Sequence, residues 1–313
     1  MDYFDLHCDT ATEIFKRRVK LYDNPLHISL KKAGHIEKYA QIAAFWSDPR
    51  YSGDECFDLF GKTLDHFTAE LSENGLAPVT DTDAFEKYQN AGLPAFIIGV
   101  EGAGLLNRDI SRLDDMYRRG VRGITLTWKG VSCIGGAFDT DEGLSPFGAD
   151  TVIRMGELNV ACDLSHAGVK TANDALSLVK AKGYPVFCSH SNAYSLCRHP
   201  RCISDGFAKE LSLAGGICGV SFVPYHLTED KICTAETVVS HILHLRNIAG
   251  GDFPAVGGDF DGVDRLPEGI SDISDVTLIC DLLKKHGLSD GETEKILYGN
   301  AKRFLSRILT KKA

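Results

Sequence analysis

The 313-residue sequence predicts an α/β fold, a single (β/α)8 barrel of TIM type spanning residues 1–313, and three observations carry that prediction. Eight short β-rich runs recur along the chain, segments of helical period separate them, and the runs are close to continuously apolar. Strands that alternate with helices pair in parallel, and strands this apolar need cover on both faces. Eight such units close a barrel. A chain of this length buries roughly 75% of its unfolded surface, so a large core is within reach.

The strands are expected at "YFDLH" (3–7), "AQIAAFW" (40–46), "AFIIGVE" (95–101), "VRGITLT" (121–127), "LNVACDL" (158–164), "PVFCSH" (185–190), "GICGVSF" (216–222) and "PAVGGDF" (254–260). Among the helices, the clearest carries Phe57, Phe60, Leu64, Phe67 and Leu71 at gaps of three and four before stopping at "NG". Ile110, Leu113 and Tyr117 before Gly120, and Val276, Ile279 and Leu283 before Gly287, repeat the pattern. A capping-box pair, Ser289 and Glu292, opens the last helix. No repeat or change of composition marks a second domain. The one long irregular stretch, residues 129–150, follows the fourth strand and is expected to form a lid.

Composition narrows the function. With 34 basic and 43 acidic side chains the net charge is -9, which gives no reason to expect nucleic acid or an anionic membrane as partner. The expected ligand is a small molecule. The opening "MDYFDLHCDT" lacks the pattern of a signal peptide, no apolar run approaches a membrane span, and the end "LSRILTKKA" lacks a lipid-anchor signal. The ten cysteines include no CxxC pair and are expected to be buried thiols in a cytoplasmic protein.

Barrels of this type build their active sites at the C-terminal ends of the strands. There the first strand carries His7 and Asp9, the third Glu101, the fifth His166, the sixth His190 and the eighth Asp259. In an extended strand His7 and Asp9 share a face, while Cys8 points to the other side and packs. So many residues of ligand type at strand ends predict a metal site. Two divalent cations about 3.5 to 4 Å apart repel by about 19 kcal/mol at an effective dielectric near 20, so imidazoles alone cannot hold them. Asp9, Glu101 and a bridging hydroxide supply the compensating charge. The expected arrangement has Glu101 bridging, His7 and Asp9 on one metal, and His166 and His190 on the other. Nitrogen and oxygen donors without thiolate suit two Zn²⁺, and Mn²⁺ or Fe²⁺ can use the same set.

The segments "DLHCDT", "GVEGA", "TLTW", "DLSHAG", "FCSHSNAYSLCRHPR" and "GGDFDGVDRLPEGISDIS" occur in order along nearly the whole chain. Through them the chain resembles the membrane (renal) dipeptidases, binuclear-zinc peptidases of the amidohydrolase-like barrel class. The resemblance implies a metal-dependent dipeptidase, in which a metal-bridging hydroxide attacks the peptide bond of a free dipeptide. It places the same five residues, His7, Asp9, Glu101, His166 and His190, at the metals. It further implies that Arg201 holds the substrate's C-terminal carboxylate, a task suited to a guanidinium fork. Asp259, preferred to Asp261 by its order in the motif, binds the free amino group and assists proton transfer to the leaving nitrogen. Family members are often dimers, so a homodimer is expected.

One position departs from the family. Animal members carry a histidine after "TLT" that steadies the oxyanion, whereas Trp128, followed by Lys129, stands here. Lys129 or a loop group is the expected substitute, and Trp128 a substrate contact. His199, His226, His241 and His244 read as surface or structural residues. The rival functions are a related amidohydrolase acting on N-acyl or D-amino-acid derivatives, and a binding protein that has lost the chemistry.

Overall fold

A computed structural model of the chain describes residues 1–309. The last four residues of the stretch "LSRILTKKA" lie outside the described residues. Eight parallel strands close in chain order: β1 (Asp2–Cys8), β2 (Lys38–Trp46), β3 (Ala95–Glu101), β4 (Val121–Thr125), β5 (Ala161–Asp163), β6 (Val186–Ser191), β7 (Cys218–Val220) and β8 (Pro254–Val256). Asp5 pairs with Val256 to join β1 to β8. This is the expected (β/α)8 barrel.

β3 matches its expected run, while β4, β5, β7 and β8 are shorter. At the start of β5, Leu158 caps the preceding helix and Asn159 takes a left-handed backbone (φ 60), so pairing begins later. After β8 the polar residues leave the ladder, Asp259 and Asp261 both adopting positive φ (58 and 68). Apolarity marks these segments as buried; it does not mark where the backbone stops pairing.

The helices follow their apolar periodicity. The Phe57–Leu71 pattern lies in the helix Gly53–Glu73, which ends at Asn74 before Gly75 (φ 72). Its N-terminus carries a Ser52–Glu55 capping box. Val276, Ile279 and Leu283 are buried on the helix Val276–Lys285. Ile110 differs from expectation: it precedes the helix Ser111–Arg118 and is exposed, and Met116 takes the buried place beside Leu113. The Gly-rich stretch is not a lid standing off the barrel. Ile134 and Ala137 are fully buried, Ala137 bridges to Ala167, and a helix already starts at Pro146.

One apolar cluster fills the barrel, with Phe4, Leu6, Ile42, Ile97 and Phe187 closed over by Tyr298, Phe304 and Leu309. A larger cluster, including Cys8, packs the strands against the surrounding helices. Among the described residues no helix is long and apolar enough to cross a membrane.

Two bulges govern what reaches the mouth. Between Asp5 and Cys8 three steps of β1 face two steps of β2, from Gln41 to Ala43. Between Cys188 and Ser191 three steps of β6 likewise face two of β7, from Cys218 to Val220. An extra residue breaks the in-out alternation. Leu6 and His7 thus both line the interior, and the neighbours Ser189 and His190 both enter the mouth.

His241, on the helix Ala235–Ala249, ties the segment after β6 to the outer layer. Its Nδ1 accepts from the Ala193 amide at 3.0 Å, so Nε2–H donates to the Leu227 carbonyl at 2.8 Å. Burial lowers its pKa to about 4, against the opposing effect of the Leu227 carbonyl. The folded pKa lies below the unfolded value of about 6.5, so the unfolded chain binds the extra proton between the two. The contribution is complete above pH 6.5 and is lost as pH falls towards 4, by up to ~3 kcal/mol. His241→Gln is expected to flatten the acid limb of the stability curve. Urea denaturation of metal-free protein between pH 4.5 and 7.5 checks this, and equal slopes in mutant and parent would contradict it.

Candidate metal centre

The mouth of the barrel brings three imidazoles onto one carboxylate. Glu101 Oε1, at the end of β3, lies 2.9 Å from His166 Nε2, 3.3 Å from His190 Nε2 and 3.7 Å from His7 Nε2. His7 Nε2 is also 3.6 Å from Asp9 Oδ2 and 3.9 Å from Asp259 Oδ1. Three sets of donors lie close enough to share an ion: Glu101 with His166 and His190, His7 with Asp9 and Asp259, and His7 with His190 and Asp163. Asp9 sits beyond β1, at the residue before the helix α1 (Thr10–Arg17) and with its side chain making no capping bond, and meets His7.

Backbone contacts fix the motif around Asp259. Its amide donates to the His7 carbonyl at 3.0 Å, and the Asp9 amide donates to the Phe260 carbonyl at 2.9 Å. A side chain at Gly262 would collide with the carboxylates of both Asp9 and Asp259. The same two-residue spacing sends Asp261 elsewhere: it accepts from Thr10 Oγ1 at 2.7 Å and from the His27 amide at 2.6 Å. Asp261 is a structural tie, and only Asp259 joins the cluster.

Beneath the imidazoles lies a hydrogen-bond scaffold with Asp163 at its root. Oδ2 of Asp163 accepts from Thr125 Oγ1 and Ser189 Oγ, both at 2.6 Å, and Oδ1 accepts from the amides of Ser165 (3.0 Å) and Ser189 (2.9 Å). With both oxygens occupied, Asp163 has no lone pair directed to an ion, although it lies close to His7 and His190. Because the Ser189 hydroxyl donates to Asp163, its oxygen is left to accept. It faces His190 Nδ1 at 2.8 Å and His7 Nδ1 at 3.3 Å. His166 Nδ1 lies 3.0 Å from the Trp128 carbonyl, which can only accept. All three rings therefore carry the proton on Nδ1 and turn an Nε2 lone pair towards Glu101.

With the rings neutral, lone pairs and carboxylate oxygens converge here without a donor among them, and buried His7 Nε2 has no hydrogen-bond partner. Such a set fits divalent cations. Two of the three rings favour the neutral form and the third holds a proton that a cation can displace. Burial, reinforced by the Arg201 and His7 charges, holds His166 and His190 well below the usual imidazole range, in the neutral form that ligands metals. Burial works against protonated His7, but Glu101, Asp9 and Asp259 overcome it and push the ring up to about 10. Burial raises Glu101 and Asp259 as well. A cation replaces the proton that His7 otherwise retains.

Around this centre, Arg201 is 5% exposed. One of its terminal nitrogens donates to the His190 carbonyl at 3.1 Å, and its buried Nε–H has no partner. Trp128 stacks on His166 at 6.0 Å between ring centres and meets Trp46 edge-on at 5.0 Å. Lys129 is exposed and does not reach the chamber of about 230 Å³ above the cluster. His226, read from sequence as peripheral, lines that chamber, as do Trp46 and Tyr225. Phe138, from the Gly-rich stretch, comes within 6.0 Å of both the His166 ring centre and the Arg201 guanidinium carbon. Sequence reasoning missed Asp163 and Ser189, although both stand beside the histidines in "DLSH" and "CSH".

Comparison with known proteins accords with this geometry. The family model for membrane dipeptidases, peptidase family M19, matches residues 1–313. An uncharacterized dipeptidase of Schizosaccharomyces pombe is 33% identical over 231 residues, which is 71% of this chain and 55% of that protein. The match thus spans about half the length of that relative. Among solved structures, the metallo peptidase dipeptidase AC superposes with a TM-score of 0.90 at 21% identity, covering 98% of each chain. A metallo peptidase from Rhodobacter sphaeroides, liganded with a phosphinate mimic of the dipeptide L-Ala-D-Ala, gives 0.90 at 20% identity, covering 98% of this chain and 99% of its own. These two likenesses show the fold.

Ser189→Ala removes the acceptor shared by two imidazoles and a donor to Asp163. Metal affinity is expected to fall 10- to 100-fold, the usual cost of losing such a support. Competition against a chromophoric chelator measures it, with circular dichroism of the metal-free protein as the control for folding. Unchanged affinity in a folded variant would remove Ser189 from this role.

Proposed function

The chain belongs to the membrane dipeptidase family, peptidase family M19, and from that premise we propose that it is a binuclear zinc dipeptidase acting on free dipeptides. One observation carries the reading furthest. Two adjoining donor sets lie beside a buried guanidinium whose Nε–H is unpartnered, so the cation centre and an anion anchor share one mouth. In this reading His7, Asp9, Glu101, His166 and His190 would hold the cations. Donors limited to nitrogen and oxygen favour zinc, and manganese or iron can occupy the same set.

When bound, the cations supply Lewis-acid polarisation of the peptide carbonyl and lower the pKa of water. The protein's own residues do the rest. Arg201, tied to the His190 carbonyl by one terminal nitrogen, takes the substrate's C-terminal carboxylate with its remaining donors. Asp259 Oδ1 receives the free amino group. Burial, with Asp9 and Glu101 nearby, raises the pKa of that carboxyl, so it can take up a proton during the reaction and pass it to the leaving nitrogen. His166 is held in place by Trp128 from both ring face and carbonyl, so Trp128 shapes the site whether or not its indole touches substrate. The same reading takes the protein as a cytosolic homodimer, to be checked by fractionation and sedimentation. Its ten cysteines, eight of them buried, are all free thiols, which suits a reducing compartment.

Freshly purified protein is expected to hold two zinc ions per chain and to lose dipeptide hydrolysis on chelation. N-acetylated and C-amidated dipeptides are expected to be inert, because each lacks the charge that Asp259 or Arg201 holds. Arg201→Lys loses the planar fork, and kcat/KM for free dipeptides is expected to fall roughly 100-fold. Elemental analysis and a ninhydrin assay on one sample test these points. Hydrolysis that survives chelation, or efficient cleavage of capped dipeptides, counts against the reading.

A further inference from the structure

The chamber above the metal centre has a second wall that the catalytic reading leaves unused. On one side stand Asp9, Glu101 and Asp259; on the other stand Glu13 and Lys16 of α1 and Trp46 at the end of β2. Resting on the dipeptidase reading, we propose that Lys16 makes this chamber selective for dipeptides whose amino-terminal residue bears an acidic side chain.

The two ends of a dipeptide enter different spaces. Asp259, the amino-group anchor, lines the 230 Å³ chamber, whereas Arg201, the carboxylate anchor, lines a separate cavity of about 660 Å³. His166 borders both. The side chain of the amino-terminal residue therefore lies with Asp259 and Lys16.

Among the residues lining this chamber, Lys16 carries the ammonium. Glu13 accepts from Lys16 Nζ at 3.1 Å and from Arg17 Nε at 3.0 Å, so one carboxylate stands between two cations. Lys16 Nζ also lies 4.6 Å from the Trp46 ring centre, which holds the ammonium beside an apolar surface. Trp46 meets Trp128 edge-on, and the two indoles offer that surface to a side chain's methylenes. With its side chain 41% exposed, Lys16 can be reached from the chamber. Glu13 keeps its pairing with Arg17 when Lys16 turns towards an incoming carboxylate, and pairs three residues apart on a helix contribute only modestly. A substrate Asp or Glu gains a charge-assisted hydrogen bond; a substrate Lys meets repulsion.

The test uses metal-loaded protein and pairs of near-isosteric dipeptides. Glu-Ala is expected to exceed Gln-Ala in kcat/KM by roughly tenfold, Lys-Ala to be the poorest, and Ala-Glu against Ala-Gln to show no such gap. The Glu-to-Gln ratio should persist in Lys16→Arg, collapse in Lys16→Met and invert in Lys16→Glu. Each ratio compares two substrates on one protein, so partial loss of fold cancels. Turnover of neutral dipeptides with no acidic preference, a ratio indifferent to Lys16, or a preference confined to the second position overturns this inference alone. Inactivity towards every dipeptide overturns the dipeptidase reading and the inference with it.

Discussion

A single hydrogen bond, from the Ser189 hydroxyl to Asp163, underlies the chemistry of this mouth. It decides which way the serine oxygen can serve, and through that oxygen it sets the tautomer of His190 and His7. Asp163 is in turn held by Thr125 and by two backbone amides, so β4, β5 and β6 converge on one carboxylate. Hydrogen-bond partners of this kind orient ligands and raise their basicity. Rotating the serine would aim its one proton at one of these rings, turn that ring's Nε2 into an N–H donor and remove one lone pair from the centre.

The cost of such a site is evident in its charges. Glu101, Asp9 and Asp259 crowd around His7, and Arg201 is buried within reach of their fields. Desolvated charge is expensive unless paired, and here pairing is incomplete, as the partnerless His7 Nε2 and Arg201 Nε show. A stability-optimised barrel would fill this end with apolar side chains, as this one does lower down with Phe4, Leu6 and Phe187. In the proposed function, a cation and a substrate carboxylate would satisfy both groups.

Much of this was legible in the sequence, and the exceptions share a cause. The apolar runs fixed the number and order of strands, and the helix from Gly53 to Glu73 follows directly from Phe57 to Leu71. The polar residues at strand ends arrived where their spacing put them. Alternation, however, predicts that neighbours point apart, and it cannot anticipate the bulges that bring Leu6 with His7 and Ser189 with His190 to one side. Ser189 was invisible for that reason, and Asp163, in regular register on β5, was missed because its partners Thr125 and Ser189 come from neighbouring strands. Likewise two carboxylates two residues apart, Asp259 and Asp261, read alike by alternation, and left-handed backbone at both sends one into the site and the other to Thr10 and His27. The Gly-rich stretch looked free because its glycines resemble a mobile segment, whereas they allow close backbone packing.

The meeting of the first and eighth strands has a kinetic meaning. Asp5 accepts from the Gly258 amide, and Thr10 donates to Asp261, across 253 and 251 residues. Drawing such distant segments together costs about 5 kcal/mol in loop closure. His7 and Asp9 leave the ribosome long before the residues that complete their environment, and a nascent chain offers only a fragment of the donor set. The donor group of His7, Asp9 and Asp259 therefore exists only once the first and eighth strands have met, so closing the ring and assembling that side of the site are one event.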